Sequence, residues 1–539
     1  MSNNIQLIDK SKCGKYNKDC LYLKTCVLLS LFLRSVNQLR DQWNNKLGFL
    51  LAAIGSAVGL GNLWRFPYVA ATNGGGAFLV PYFFAIITAG IPILILEYTM
   101  GKTYRGGAPV TWARINRKFE WLGWFQAIVA FVIGTYYFAI IVWVLSYVGF
   151  SFTQAWGSDP SSFFVEYLGL TDSALHFGGI RTNLIIPFII IWAIIAFVIY
   201  KGISKGIEMI CKVCLPVLMI LTIILVIRGI TLPGAVNGLE YMFKPDWSKL
   251  TDASVWIAAY GQIFYSLSIG FAIMLAYSSY LPRETDVVNS AFITATANHG
   301  FEVFAGIGVF SIMGFMAMQQ GVAVEDIAAS GIGLAFMTFP TAISELPALN
   351  ALFGICFFGA LLTAGITSMV SILQAVISSF HDKFEIEHKR AVTLVLVPTF
   401  IISVLFITGA GMNILDIVDA FINNIGVATG GLVEVILITR FFNPEKLRQE
   451  ANEFSNFSIG KWWIYSLKVI TTIVLGVMLF FNTKDFIING YGDYSTTDVN
   501  VFGWGCILFV IIAADILNTM KGKPGYADLD KISQKEVAE

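Results

Sequence analysis

The side chains able to do covalent or metal chemistry are few and dispersed. Of seven cysteines, Cys13, Cys20 and Cys26 lie near the start, Cys356 and Cys506 stand alone, and only Cys211-x-x-Cys214 has a redox or metal spacing. No partner ligands surround that pair, so it reads as packing thiols. His176, His299, His381 and His388 are scattered, and no zinc, Ser-His-Asp or Cys-His set emerges. The sequence instead concentrates glycine, hydroxyls and isolated charges inside apolar runs. Gly55, Gly59 and Gly61 fall within seven residues, followed by Asn62, Arg65 and Pro67. Each glycine weakens a helix by about 1 kcal/mol relative to alanine, although small residues also serve close helix packing. A nucleotide-binding loop does not fit, because no strand precedes it. A second irregularity, Gln262 to Phe271, carries Ser266, Ser268 and Gly270 in an apolar context. Thr367 and Ser368, taken alone, read as helix-to-helix hydrogen-bonding residues. Arg65, Glu97, Glu302, Asp419 and Glu434 are charges deep in apolar segments, where a charge faces protein or water and has a partner.

The elements that must position these residues follow from composition. The chain has 539 residues, 56% of them apolar and only 13% charged, and its mean hydropathy is +0.71. Soluble domains carry about 25% charged residues. With 35 Lys+Arg against 35 Asp+Glu there is no basic surface for nucleic acid, and a polytopic membrane protein remains. Long apolar runs such as Ile185–Tyr200 and Val217–Ile227 do not alternate as barrel strands do. The fold class is therefore all-α, with about twelve helices of membrane-spanning length. They are expected near 47–72, 76–101, 122–151, 184–200, 207–229, 255–281, 288–318, 348–381, 391–409, 413–439, 463–483 and 499–519, called spans 1 to 12 below. Connections after even-numbered spans hold most Lys and Arg: Lys102, Arg105, Arg114, Arg117 and Lys118, then Lys201 and Lys205, Arg283, Lys383, Lys389 and Arg390, and Arg440, Lys446, Arg448 and Lys461. The other connections hold Arg181, Lys244, Lys249 and Lys484. The excess of positive charge on the inner side places both termini in the cytoplasm of a multi-pass cell-membrane protein. Residues 1–40 carry seven Lys/Arg, two Asp and one interrupted apolar run. They read as a loose tail or a misassigned start, with no small-x-small cleavage site for a signal peptide.

Spans 1 and 6, both irregular, would open the two halves of a five-plus-five inverted repeat, and interrupted helices at equivalent positions of two halves would point to a transporter's binding site. The string Gly55-Ser56-Ala57-Val58-Gly59-Leu60-Gly61-Asn62-Leu63-Trp64-Arg65-Phe66-Pro67 resembles the signature of the neurotransmitter:sodium symporter family. So do Asn73 to Phe78, Lys201 to Glu208 and Val255 to Gln262. The resemblance runs from about Arg40 to span 12 and is nearest to the bacterial, leucine-transporter-like amino-acid members. The segment after span 3 lacks the cysteine pair typical of animal members. The implied organisation is a cytoplasmic tail (1–40), a first repeat (41–229), a second repeat (230–440), spans 11 and 12 (441–519) and a C-terminal tail (520–539).

The resemblance implies two sodium sites. The first would use the Ala57 carbonyl, Asn62, Ser266, Asn298 and the substrate's carboxylate; the second, carbonyls of Gly55, Val58 and Ala364 with hydroxyls of Thr367 and Ser368. All are hard oxygen ligands, suited to an alkali cation. Family members that carry amines have an aspartate at the position of Gly59, so glycine here implies a substrate that brings its own carboxylate. That carboxylate would meet the amides of Leu60 and Gly61 and the Tyr137 hydroxyl, and the ammonium would meet carbonyls of Ala57, Tyr265 and Ser268. The side-chain pocket would be Ile133, Tyr137, Tyr265, Ser268, Phe271, Ser368 and Ile372. It has no charge to receive a charged side chain, so a neutral and hydrophobic amino acid is expected. An outer gate is expected from Arg65 and Asp419, with Asp416 as a second candidate, and an inner gate from Arg40 and Asp382 near Trp43, Ser279 and Tyr280. Glu302, one turn after Asn298, would supply the negative charge that chloride supplies in many animal members, giving chloride independence. Glu97 and Glu434 would brace unwound backbone amides, or else form a proton path. The expected activity is sodium-coupled amino-acid import by alternating access, in a monomer or dimer within membrane lipid. The other readings are a proton-coupled or exchange-type carrier and a non-transporting amino-acid sensor on the same scaffold. A membrane-embedded enzyme lacks a nucleophile–base pair.

Overall fold

The computed structural model describes residues 42–327 and 331–528. The tail 1–40, with Arg40, lies outside them. The described chain is helical apart from two isolated bridges, Gly75 with Pro245 and Ile180 with Thr408. Among the described residues, ten helices are long and apolar enough to cross a membrane. They run Gly76–Tyr104, Arg117–Ser151, Thr182–Tyr200, Ile203–Ile230, Val287–Gln320, Asn350–Phe384, His388–Ile407, Gly411–Phe441, Trp462–Ile488 and Thr496–Thr519. These are the expected spans 2 to 5 and 7 to 12, with ends moved by a few residues.

The remaining two are broken, each at its glycine-bearing stretch. Span 1 is Lys46–Ala57 and Leu60–Thr72, bent by 47°. Val58 and Gly59 leave the helical region, with ψ of 87° and −164°. Span 6 is Ala253–Ser266 and Ile273–Ser278, neither of which reaches spanning length alone. Between them Ser268, Gly270 and Ala272 have φ of +54°, +87° and +73°. Two of these three are non-glycine residues in the left-handed region, a conformation costing about 1–3 kcal/mol each that persists only when surroundings impose it.

Span 3 packs along span 8, and span 5 along spans 7 and 8. In span 3, 89% of the most apolar window is buried, against 22% in span 12. Spans 2, 3, 7 and 8 therefore enclose the broken helices, while spans 4, 5, 9, 11 and 12 turn apolar faces outward, as lipid contact requires. The sequence reading treats 152–183, 230–254 and 319–347 as plain connections. They contain short helices at Pro160–Leu168 and Ala235–Phe243, and a longer one over 331–345 that is widened at Leu334–Thr338. Nine residues give the first two too few turns for an apolar period to register, and the wide turn at Leu334–Thr338 breaks the 3.6-residue period of the third.

Candidate functional site

The two breaks face each other. The helix Lys46–Ala57 ends where its last carbonyls lack intrahelical donors, and Leu60–Thr72 begins with amides that have no intrahelical acceptor. One bend thus offers partial negative charge to cations and partial positive charge to an anion. The Ser56 carbonyl ties three spans together. It accepts from Ser268 Oγ in the span 6 break at 3.0 Å and from Ser368 Oγ in span 8 at 3.3 Å. Gly270 N–H donates to Glu97 Oε1 at 2.7 Å, so Glu97 braces the unwound backbone as expected. Glu434 does not. Its Oε2 accepts from Gln126 of span 3 at 2.6 Å, a side chain that reaches the carboxylate before any backbone amide does.

All eleven expected substrate-pocket residues line one cavity: Ala57, Leu60, Gly61, Ile133, Tyr137, Tyr265, Ser266, Ser268, Phe271, Ser368 and Ile372. Asn62 joins them, as do Ser56, Gly59, Tyr136 and Asn423. The lining carries no ionisable acid or base beyond tyrosine. A Cβ built on Gly59 would lie 2.9 Å from Ser368 Oγ and 3.6 Å from the Tyr137 hydroxyl. The space in front of Gly59 is therefore the space a larger residue would take.

The residues expected around the first sodium ion are contiguous. Asn62 Nδ2 donates to Asn298 Oδ1 at 2.8 Å, and Asn298 Nδ2 donates to Ser266 Oγ at 3.2 Å. Asn62 Oδ1 meanwhile accepts from Gly59 N–H at 2.8 Å, holding the bend. For the second ion, a Cβ at Gly55 would meet Thr367 Cβ at 3.4 Å, so span 1 lies directly on span 8 there. Thr367 Oγ1 donates to the Ala364 carbonyl at 3.0 Å, which leaves the hydroxyl's lone pairs free to accept or ligate. Among the described residues no cluster of His, Cys, Asp or Glu could hold a metal. The oxygens here are neutral and hard, a donor set suited to an alkali cation rather than to a transition metal.

The outer gate differs from expectation. Among the described residues no Arg65–Asp419 ion pair forms within 4.0 Å. Asp419 Oδ1 accepts from the Tyr136 hydroxyl at 2.6 Å and from Asn423 Nδ2 at 2.8 Å. Arg65 lies over the Tyr265 ring at 4.4 Å, and its Nη1 is buried with no hydrogen-bond partner. Each charge thus has a separate compensation, hydrogen bonds for the carboxylate and a ring face for the guanidinium. Asp416, the other candidate, accepts from Tyr491 at 3.1 Å and Tyr494 at 3.0 Å. At the inner side, Arg40 lies outside the described residues. Asp382 Oδ2 accepts from Gly107 N–H at 2.6 Å, and Trp43 Nε1 donates to the Tyr277 carbonyl at 2.9 Å.

Glu302 is fully buried and multiply held. Gln262 Nε2 donates to its Oε1 at 2.8 Å, and its Oε2 contacts the Tyr82 hydroxyl and, at 3.1 Å, His299 Nδ1. Tyr82 and His299 escape a sequence reading because one sits in an apolar stretch of span 2 and the other looks like a stray histidine. Tyr136 and Asn423 are missed similarly. No sequence signal marks Asn423, which in the structure lies in a wide π-helical turn, Ile422–Val427, of a kind frequent at functional sites.

The model of the sodium:neurotransmitter symporter family matches residues 40–164 and 157–522. An uncharacterized sodium-dependent transporter of Methanocaldococcus jannaschii is 40% identical over 488 residues, covering 90% of this chain and 99% of its own. A sodium-dependent dopamine transporter of Caenorhabditis elegans is 30% identical, covering 89% and 86%. The sodium- and chloride-dependent GABA transporter 2 of Mus musculus is 32% identical, covering 71% and 69%. Broken helices that meet at a neutral oxygen-lined cavity, and matches that span nearly the whole described chain, make this protein a multi-pass membrane transporter, not an enzyme, and a member of the sodium:neurotransmitter symporter family.

Proposed function

We propose that the protein couples inward movement of sodium to import of a neutral, hydrophobic α-amino acid, without a requirement for chloride. The observation that carries the reading is Gly59. Its position is lined by Ser368 and Tyr137 and holds no carboxylate, so a substrate there must bring its own. A zwitterion then offers its carboxylate to the amides of Leu60 and Gly61 and to a sodium ion held by Ala57, Asn62, Ser266 and Asn298. A second ion would sit at Gly55, Val58, Ala364, Thr367 and Ser368. Coupling follows, because ion and substrate share a ligand and neither is well satisfied alone. Binding shifts the outward–inward equilibrium only by its differential affinity for the two states, and spans 1 and 6, hinged at their breaks, are the elements able to differ. Two inverted five-span repeats would make that motion a rocking of one bundle against the rest.

Glu302 supports chloride independence, since it places a fixed carboxyl beside Gln262 and Tyr82, where an anion would otherwise sit. The dopamine and GABA carried by the named relatives both present an ammonium without an adjacent α-carboxylate, and this cavity has no acidic side chain to receive one. A competition screen of all neutral amino acids against the purified protein in sodium tests the reading. Saturable binding of at least one hydrophobic member, lost when potassium replaces sodium, is expected. Binding of amines but of no amino acid would overturn it.

A further inference from the structure

Away from the transport cavity, the hairpin between spans 4 and 5 carries an unusual concentration of one charge. Span 4 ends at Tyr200, the chain turns at Lys201 and Gly202, the latter with φ of +79°, and span 5 begins at Ile203. A cavity of about 530 Å³ opens on this turn, lined by Lys201, Ser204, Lys205, Met209 and Lys212. Residues 205, 209 and 212 lie three and four apart, so they share one helix face. Lys212 is partly compensated by Glu208, 2.6 Å away. Glu208 itself is fully buried, and its other oxygen accepts the Asn44 amide at 2.9 Å, so it faces inward. Among the described residues no ion pair within 4.0 Å reaches Lys201 or Lys205. Lys201 Nζ instead rests 4.0 Å from the Phe197 ring centroid.

The surroundings say what could fill the cavity. Phe197, Met209, Val213 and Ile220 are exposed on the same two helices, a surface that belongs against acyl chains. Cationic heads above an acyl-facing wall match a molecule with an anionic head and apolar tails. We infer that this hairpin is a binding site for an anionic phospholipid, whose phosphate sits among Lys201, Ser204 and Lys205 while its chains lie along Phe197, Met209 and Val213. The site also touches the transport machinery. Lys212 and the Asn44 amide share Glu208, so a phosphate drawing Lys212 away alters the support of the first residues of span 1.

The full-length protein in nanodiscs of mixed phosphatidylglycerol and phosphatidylcholine provides the test. After exchange into detergent, retained lipid is counted by mass spectrometry. Phosphatidylglycerol should be enriched about tenfold over phosphatidylcholine, given roughly a fivefold gain per lysine near an anionic head before mutual screening. Lys201→Gln with Lys205→Gln should abolish the enrichment, and Lys201→Arg with Lys205→Arg should preserve it. Lys244→Gln with Lys249→Gln, at an exposed connection elsewhere, should leave it unchanged. Equal enrichment in the glutamine pair, or equal loss in the control pair, overturns the site. Displacement by inorganic phosphate beyond that produced by chloride at equal ionic strength also overturns it, because a free anion would then suffice. Should the glutamine pair fail to fold, wild-type enrichment must still fall as salt is raised, and a salt-insensitive enrichment refutes the proposal.

Discussion

At the scale of single residues, the proposed reading assigns the choice of cargo to Gly59 and the counter-charge to Glu302. Gly59→Asp places a carboxylate about where the substrate's own would lie. Two like charges in a buried cavity leave one uncompensated, a cost of about 3 kcal/mol or more. Affinity for the amino acid should fall roughly a hundredfold, with binding of an amine lacking a carboxylate appearing in its place. Isothermal titration of both ligands reads this out, and unchanged amino-acid affinity would contradict it. Glu302→Ser leaves Gln262 and Tyr82 around an empty neutral position. Uptake should fall at least tenfold in gluconate and recover in chloride, and an indifference to chloride would contradict the role given to Glu302. The span 1 side of the cavity is legible in the sequence, because its glycines and Asn62 are irregular in an apolar span, whereas Ile133, Tyr137, Tyr265, Phe271, Ser368 and Ile372 are reached only through the family resemblance. The partners of Asp419 are not legible. Tyr136 of span 3 and Asn423, one turn after Asp419 in span 10, satisfy the carboxylate, and no spacing rule ranks that arrangement against an ion pair with Arg65.

At the scale of elements, the two breaks are held by different means. Span 1 bends at Gly59 over the Asn62 side chain. Span 6 is unwound over six residues with three positive φ angles and is tied down by Glu97. Gly270→Ala puts a Cβ 3.3 Å from the Val427 carbonyl in a region only glycine occupies freely. It should lower stability by about 1–3 kcal/mol, seen as a reduced melting temperature in detergent, with sodium-dependent binding reduced in parallel. Glu97→Ala orphans the Gly270 amide at a cost of about 1–3 kcal/mol, whereas Glu97→Gln keeps an acceptor and should retain most binding. Equal effects of the two Glu97 variants would contradict a bracing role. The spans themselves are visible in the sequence because long apolar runs have one physical use. The short connecting helices are not, since tertiary packing rather than periodicity stabilises them, as when a Cβ at Gly238 of Ala235–Phe243 would collide with the Phe310 carbonyl of span 7.

At the scale of the whole molecule, charge distribution predicts the orientation. Lys244 and Lys249 sit on the side opposite to Lys389 and Arg390 in that scheme. Single cysteines placed at 249 and at 389 in a background without other cysteines should differ in intact cells, position 249 reacting with an impermeant maleimide and position 389 only after lysis. The reverse pattern would invert the direction of transport. The most direct test of the account is uptake into proteoliposomes of a labelled hydrophobic amino acid selected by the binding screen. An inward sodium gradient should drive accumulation above equilibrium, with or without chloride, and potassium in place of sodium should abolish it. Failure of every amino acid to accumulate under a sodium gradient, or accumulation that persists without sodium, would contradict sodium-coupled amino-acid import.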